Sequence, residues 1–106
     1  MRKKIRFQVA LAAVILFAGA VSFAQSGEAT YKEKCQSCHG SAGVPSPGIA
    51  KAMGVKPATD ASVKSKTEAQ MIAATTNGVG KMQAFKGKLT DAQIKASVEF
   101  FRTFAK

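Results

Sequence analysis

Polar and apolar side chains alternate with helical period most clearly near the end of the chain. Thr90 and Gln93 have the spacing of a capping box, so a helix is predicted to start at Thr90. Leu89 is placed to pack on Ile94 as a hydrophobic staple. The apolar stripe consists of Ile94, Val98, Phe101 and Ala105, widened by Phe100 and Phe104. Such a stripe predicts a core helix, and we interpret its aromatic residues as packing residues only.

A first helix is predicted to begin near Ser26 and to run into Cys35. Gly27, Tyr31 and Cys35 recur every four residues, so they share one face of this helix. Because Gly27 has no side chain, another helix can approach closely there, and we expect the last helix to do so.

A middle helix is predicted to begin at Thr67, which has the capping-box spacing with Gln70. Met71 and Ile72 give it a mild apolar face, and Asn77-Gly78 tolerates the positive φ of a helix end.

Residues 40–66 are predicted to form a loop, because glycine and proline interrupt them repeatedly. One short helical turn is expected around Ile49 to Met53. A loop this long is unusual in a small domain unless it wraps a bound group. The pattern therefore predicts an all-α fold, with three main helices and long loops around such a group.

The first residues have the pattern of a secretory signal peptide. Arg2, Lys3, Lys4 and Arg6 precede an apolar run, and Ser22-Phe23-Ala24 offers small residues for cleavage. We therefore predict a signal peptide at residues 1–24, a single domain at residues 25–106, and a periplasmic or otherwise exported protein without membrane insertion after cleavage. An uncleaved anchor is the alternative, although the apolar run is short for a full span.

Charge adds little to this picture. The whole chain carries a formal charge of +10, and removal of the four basic residues of the leader leaves +6. No stripe of interleaved basic and aromatic residues appears, so nucleic-acid binding is not expected. A monomer is the default expectation.

The chemistry of the chain is concentrated in Cys35-Gln36-Ser37-Cys38-His39. Two thiols at this spacing can each add to one vinyl group of a single haem, and the imidazole that follows is then carried under the iron. A structural zinc site would need four ligands, but the chain has two cysteines and one histidine. We therefore expect one covalent haem c, attached through Cys35 and Cys38 and ligated by His39, with Tyr31 packed beside it.

The second axial ligand is expected to be a methionine, since the chain has no other histidine. Met82 is preferred, because glycines let its loop approach the macrocycle and Phe85 can seal it. Met71, Met53 and a vacant or water-filled position remain alternatives.

These residues together resemble a class I c-type cytochrome, monohaem and soluble. The resemblance rests on Gly27, Tyr31, the Cys35–His39 motif, Met82 as axial methionine, and the closing helix Val98-Glu99-Phe100-Phe101-Arg102. Two positions depart from it. Gln83 stands where relatives often have proline, which makes the loop less rigid, and Phe100 stands where they often have tyrosine.

The resemblance also implies that a proline carbonyl accepts a hydrogen bond from Nδ1 of His39 and so orients the ring. Pro47 is the expected acceptor, followed by Pro45. The simpler interpretation of both prolines is loop stiffening.

The expected function is electron transfer rather than catalysis, because iron held by His39 and Met82 stays six-coordinate in both oxidation states. Partners would be an oxidase, a reductase or a dehydrogenase, and Lys81, Lys86 and Lys88 are candidates for a rim that meets an acidic docking surface. One alternative is a haem enzyme or gas sensor with open coordination, if Met82 does not ligate. A thiol oxidoreductase without haem would leave His39 unexplained. Docking as a subunit of a larger oxidase or dehydrogenase is also compatible.

Overall fold

The structure is a computed structural model that describes residues 26–106, and within this range it is helical, with only isolated β-bridges outside the helices. The all-α prediction is confirmed. The predicted leader lies outside the described residues. In chain order the helices are α1 (Ser26–Lys34), α2 (Gln36–His39), α3 (Pro47–Met53), α4 (Ala61–Lys64), α5 (Glu68–Asn77) and α6 (Asp91–Arg102), and a 3-10 turn follows at Thr103–Ala105.

The helices α1 and α6 approach each other closely at Gly27. A Cβ atom built on Gly27 would lie 2.7 Å from the carbonyl oxygen of Ala96 and 3.2 Å from the Ala96 Cβ. Real Cβ atoms do not come this close to a backbone oxygen, so only glycine permits this spacing. The predicted contact through Gly27 is confirmed, and it is made to the backbone of α6.

The buried core lies between α5, α6 and the loop that joins them. Phe85, Ile94 and Val98 form its centre. Half-buried apolar side chains that pack around this centre are Met71, Ile72, Met82 and Leu89. The predicted staple is consistent with this, since Leu89 and Ile94 belong to the same cluster.

Both predicted capping boxes are present. The Thr67 hydroxyl accepts from the Gln70 amide at 3.1 Å and the Gln70 side chain accepts from the Thr67 amide at 2.9 Å. Thr90 and Gln93 repeat the arrangement at the same distances. Each box satisfies amides at a helix start that have no partner within the helix. The sequence therefore predicted where α5 and α6 begin.

The loop of residues 40–66 contains more helix than predicted. The expected turn begins earlier, with Ser46 as N-cap and Pro47 at the first helical position. The helix α4 was not predicted, and its cap is the Asp60 carboxylate, which accepts from the Ser62 amide at 3.0 Å. Four residues are too few to show a periodic pattern, although Asp is a preferred cap.

The loop is closed at its base by one backbone hydrogen bond. The Ala58 amide donates to the Gly43 carbonyl at 2.8 Å. Gly43 has φ +76, and a Cβ there would meet the Phe104 Cβ at 2.9 Å and the Ala58 Cβ at 3.0 Å. The base of the loop is therefore packed against the C-terminal turn.

None of the helices within residues 26–106 is long and apolar enough to cross a bilayer.

Candidate haem-attachment site

The cysteine–histidine motif lies at a break between two helices. The helix α1 ends at Lys34, Cys35 occupies the connecting position, and α2 carries Cys38 and His39. The amide of Cys35 still donates to the Tyr31 carbonyl at 2.9 Å, and the His39 amide donates to the Cys35 carbonyl at 3.0 Å. The two cysteines and His39 are therefore held on one compact turn. Both thiols are half-buried and neither forms a disulfide.

The surroundings of Cys35 disfavour thiol redox chemistry. Burial, and then the neighbouring Cys38, raises the pKa of the Cys35 thiol above its usual value. A redox-active pair needs the opposite, because the thiolate is the nucleophile. A structural metal centre is also unsupported, since no group of three or more histidine, cysteine and acidic side chains gathers anywhere between residues 26 and 106.

His39 has the properties that an iron ligand requires. Burial lowers the pKa of its imidazole, so the ring is held neutral with a free lone pair. Its Nδ1 is buried and has no hydrogen-bond partner among the described residues. The Phe101 ring meets it edge-on, with centroids 5.2 Å apart. A half-buried, neutral imidazole beside two free thiols fits covalent haem. Phe101, which the sequence assigned to packing only, contacts this imidazole.

The proposed orienting role of Pro47 stays a prediction. Pro47 is exposed at the start of α3, whereas Pro45 is buried. The unpartnered Nδ1 means that neither carbonyl accepts from His39 in this structure.

Tyr31 is the most deeply placed side chain near the motif, with 1% of its surface exposed. Its hydroxyl donates to the carbonyl of Gly40 at 2.7 Å. Its ring is surrounded by aromatic rings of the C-terminal segment, with centroid distances of 5.3 Å to Phe100, 6.2 Å to Phe101 and 5.5 Å to Phe104. Tyr31 therefore fixes the residue directly after His39, a function that sequence reasoning missed, and its contact with haem stays a prediction.

The buried hydroxyl of Tyr31 has a measurable consequence at high pH. Burial, and then Cys35, raises the pKa of Tyr31 to about 12, against 10.0 for an exposed tyrosine. The neutral phenol thus stabilises the fold below pH 10, and this contribution is lost as the pH rises towards 12. Tyr31 is the only tyrosine of the chain, so an ultraviolet difference titration should show no tyrosinate below the onset of unfolding.

Tyr31→Phe is the control for this titration, because it removes the signal and the hydrogen bond together. We expect it to lower the free energy of unfolding by about 0.5–1.5 kcal/mol, since the half-buried Gly40 carbonyl loses the tyrosine donor at 2.7 Å and keeps the Gly43 amide at 3.4 Å. A tyrosinate signal that develops near pH 10 in folded protein would contradict the burial of this hydroxyl.

Met82 lies in a tight turn between α5 and α6. Its amide donates to the Val79 carbonyl at 2.9 Å, and the Val79 amide donates back to the Met82 carbonyl at 3.2 Å. Gly80 within the turn has φ +56, a left-handed conformation that glycine adopts without strain. The backbone of the Met82 position is thus defined by its own turn, and the side chain is half-buried against the core.

A cleft of about 410 Å³ lies beside the Met82 turn and the end of α1. Its lining consists of Lys34, Gln83, Phe85, Lys88 and Leu89. Lys34 precedes Cys35 and Gln83 follows Met82, so the cleft is bordered by the neighbours of both predicted haem-binding elements. The other candidate methionines are placed differently, since Met71 is within α5 and Met53 ends α3 with 37% of its surface exposed.

Comparisons with known proteins agree with this geometry. Residues 22–101 match the model of the family described as cytochrome c oxidase, cbb3-type, subunit III. Cytochrome c6 of Leptolyngbya boryana is 41% identical over 73 residues, which cover 69% of this chain and 82% of the relative. The chain belongs to the class I c-type cytochromes. The solved KustC0563 c-type cytochrome is 30% identical, with a TM-score of 0.68 over 76% of this chain and 98% of its own.

Membership in the c-type cytochromes implies covalently attached haem c, and Cys35 and Cys38 are consistent with that attachment. It also supports the role of an electron carrier rather than of an enzyme. The all-α fold of this cytochrome agrees with that of its structural neighbour.

Proposed function

We propose that this cytochrome carries single electrons on a haem ligated by His39 and Met82. The observation that supports this most is the half-buried, neutral His39 on the same compact turn as two free thiols. The haem would supply the ferrous–ferric couple, and a thioether ligand raises its potential. The protein would hold His39 and Met82 in place, so that little would rearrange on electron transfer.

Each residue in the site has its own part in this proposal. Cys35 and Cys38 provide the thioether bonds, and His39 provides the nitrogen ligand. Tyr31 and Phe101 hold the histidine turn against α6 through the hydrogen bond to Gly40 and the ring contact with His39. The Val79–Met82 turn presents the sulfur ligand.

The proposal is tested by the spectrum of the exported protein. Haem should stay on the polypeptide after acid–acetone extraction, and the ferric form should show the weak red band of iron–methionine ligation. Reduction and reoxidation should then be fully reversible. A colourless polypeptide after extraction would refute covalent attachment. Carbon monoxide binding by the reduced wild-type protein would favour the open-coordination enzyme or sensor.

Export is part of the proposal, with residues 1–24 as a cleaved leader and residues 25–106 as the working domain. Mass spectrometry of the mature protein should place its first residue at position 25. A mature chain that retains the apolar run would instead support a membrane anchor.

The surface around the cleft suggests how a redox partner docks. We define the lysine rim as Lys34, Lys81, Lys86 and Lys88. Lys34 was not among the predicted rim residues, and it lines the cleft together with Lys88. No acidic residue occurs in residues 34–59 or 69–90. Glu33 lies just outside, with its carboxylate 3.9 Å from the Nζ of Lys34. This distribution favours a partner with an acidic docking surface.

Electron transfer with small charged reagents tests the rim without a known partner. Oxidation of the ferrous protein by ferricyanide should slow as ionic strength rises, because salt screens the attraction. Lys86→Glu should lower this rate and weaken its salt dependence. Lys64→Glu is the matched control, since it changes the net charge equally and Lys64 lines a separate cleft with Met71 and Arg102. Equal effects of the two variants on the oxidation rate would show that only the net charge matters, and would refute a role for the lysine rim.

The comparisons are compatible with two assembly states, a subunit of a larger oxidase or a free monomer. The matched family is described as an oxidase subunit, whereas the relative from Leptolyngbya boryana is named as a cytochrome c6. We propose a monomer that meets its partners transiently. Elution of the native protein at the mass of one chain supports this, and stable co-purification with a larger oxidase would contradict it.

A further inference from the structure

One long-range hydrogen bond connects the Met82 turn to the loop that follows the haem motif. The Nζ of Lys81 donates to the carbonyl of Ala52 at 2.7 Å, across 29 positions of sequence. Ala52 lies in the last turn of α3, where carbonyls lack helical partners and where a cation is favourable. The ammonium group of Lys81 therefore donates to a helix-end carbonyl that has no hydrogen-bond partner within its own helix.

Backbone hydrogen bonds attach the residues after the Met82 turn to α5. The amides of Phe85 and Lys86 donate to the carbonyls of Thr75 and Thr76 at 3.0 and 3.1 Å, which fixes the end of the loop to α5. Within the turn, the backbone groups of Val79 and Met82 bond only to each other among the backbone groups of residues 26–106. Lys81 thus supplies the side-chain bond between the turn and α3.

We propose that Lys81 is a positioning residue that keeps the Met82 turn against α3 and thereby slows dissociation of the methionine from iron. This inference rests on the proposed ligation by Met82. Lys81 acts through the backbone of its neighbour, and it does not itself contact the iron. We call the hydrogen bond from Lys81 to Ala52 the tether. The charge of Lys81 would strengthen the tether and would also contribute to the lysine rim.

Binding of imidazole to the ferric haem protein measures this directly, because the neutral ligand enters only when methionine leaves. Lys81→Ala should raise the binding rate about three- to tenfold, which corresponds to the loss of one modest hydrogen bond. Hydrogen exchange of the Met82 amide should accelerate in the same variant, since the turn moves away from α3 more often. This second readout does not depend on the identity of the iron ligand.

Lys86→Ala is the matched control. It removes the same charge near the same turn, and the Lys86 Nζ makes no hydrogen bond or ion pair within the described part of the chain. It should leave both rates unchanged, and Lys81→Arg, which retains a charged donor, should stay close to the wild type. The helix content of Lys81→Ala measured by circular dichroism should equal that of the wild type, because the lost bond is made by a side chain outside the helices.

The outcomes separate the two proposals. If the wild type shows the iron–methionine band but Lys81→Ala binds imidazole no faster than Lys86→Ala, the tether is refuted and the ligation stands. If the band is absent from the wild type, the ligation proposal fails. In that case faster exchange of the Met82 amide in Lys81→Ala alone still supports the tether, and unchanged exchange refutes it.

Discussion

Replacing Met82 with alanine is expected to abolish the red ferric band and to open the iron to carbon monoxide and cyanide. Alanine has no donor atom, and the short Val79–Met82 turn has no other residue with a sulfur. The reduction potential should fall, because the thioether that favours ferrous iron is lost. Optical spectra of the ferric protein measure the loss of the band and the binding of cyanide. Spectra of the ferrous protein measure the binding of carbon monoxide.

Met71→Ala and Met53→Ala are the matched controls for this experiment. Both remove a methionine outside the turn, one from α5 and one from the end of α3. They should retain the band, although Met71→Ala should lower stability because Met71 packs on the core. An unchanged spectrum in Met82→Ala, with a band lost in either control, would transfer the ligand to that residue.

Adding a single methyl group at Gly27 is expected to destabilise the protein by forcing α1 and α6 apart. In an ordinary helix, Gly→Ala stabilises by about 1 kcal/mol. Here the new Cβ would lie 2.7 Å from the Ala96 carbonyl oxygen, and this backbone atom cannot rotate away. We expect Gly27→Ala to lower the free energy of unfolding by about 1–3 kcal/mol, as is usual for overpacking. Denaturant unfolding followed by circular dichroism measures this.

Gly48→Ala serves as the control, since Gly48 lies within α3 and a Cβ there meets no atom within 4 Å. This variant should gain stability from the better helix propensity of alanine. Opposite signs for the two variants would assign the effect to the α1–α6 contact. Equal stability of Gly27→Ala and the wild type would show that the two helices separate at low energetic cost.

Helices that carry their own start signals could be predicted from the sequence. Thr67 and Thr90 each have glutamine three residues later, and both boxes form. The helix α4 has four residues, so no periodicity could reveal it. Cys35, with φ −115, separates α1 from α2, although the hydrogen bonds from Cys35 to Tyr31 and from His39 to Cys35 keep the helical spacing that the sequence predicted.

The site was predictable where its chemistry is local and was missed where it depends on distant contacts. Two thiols and an imidazole within five positions suffice to predict haem attachment. The bond from Tyr31 to Gly40 and the contact between His39 and Phe101 depend on how α1 and α6 pack. The Lys81 bond to Ala52 joins the Met82 turn to the helix α3, and no local pattern encodes that pairing.

The closed base of the loop, where the Ala58 amide meets the Gly43 carbonyl, has a practical consequence for engineering. Because the two ends of the segment between these residues are held together by main-chain atoms, its interior should accept a graft of different length while both ends stay in place. Such a graft would replace Ala52, so it would have to supply a new acceptor for Lys81.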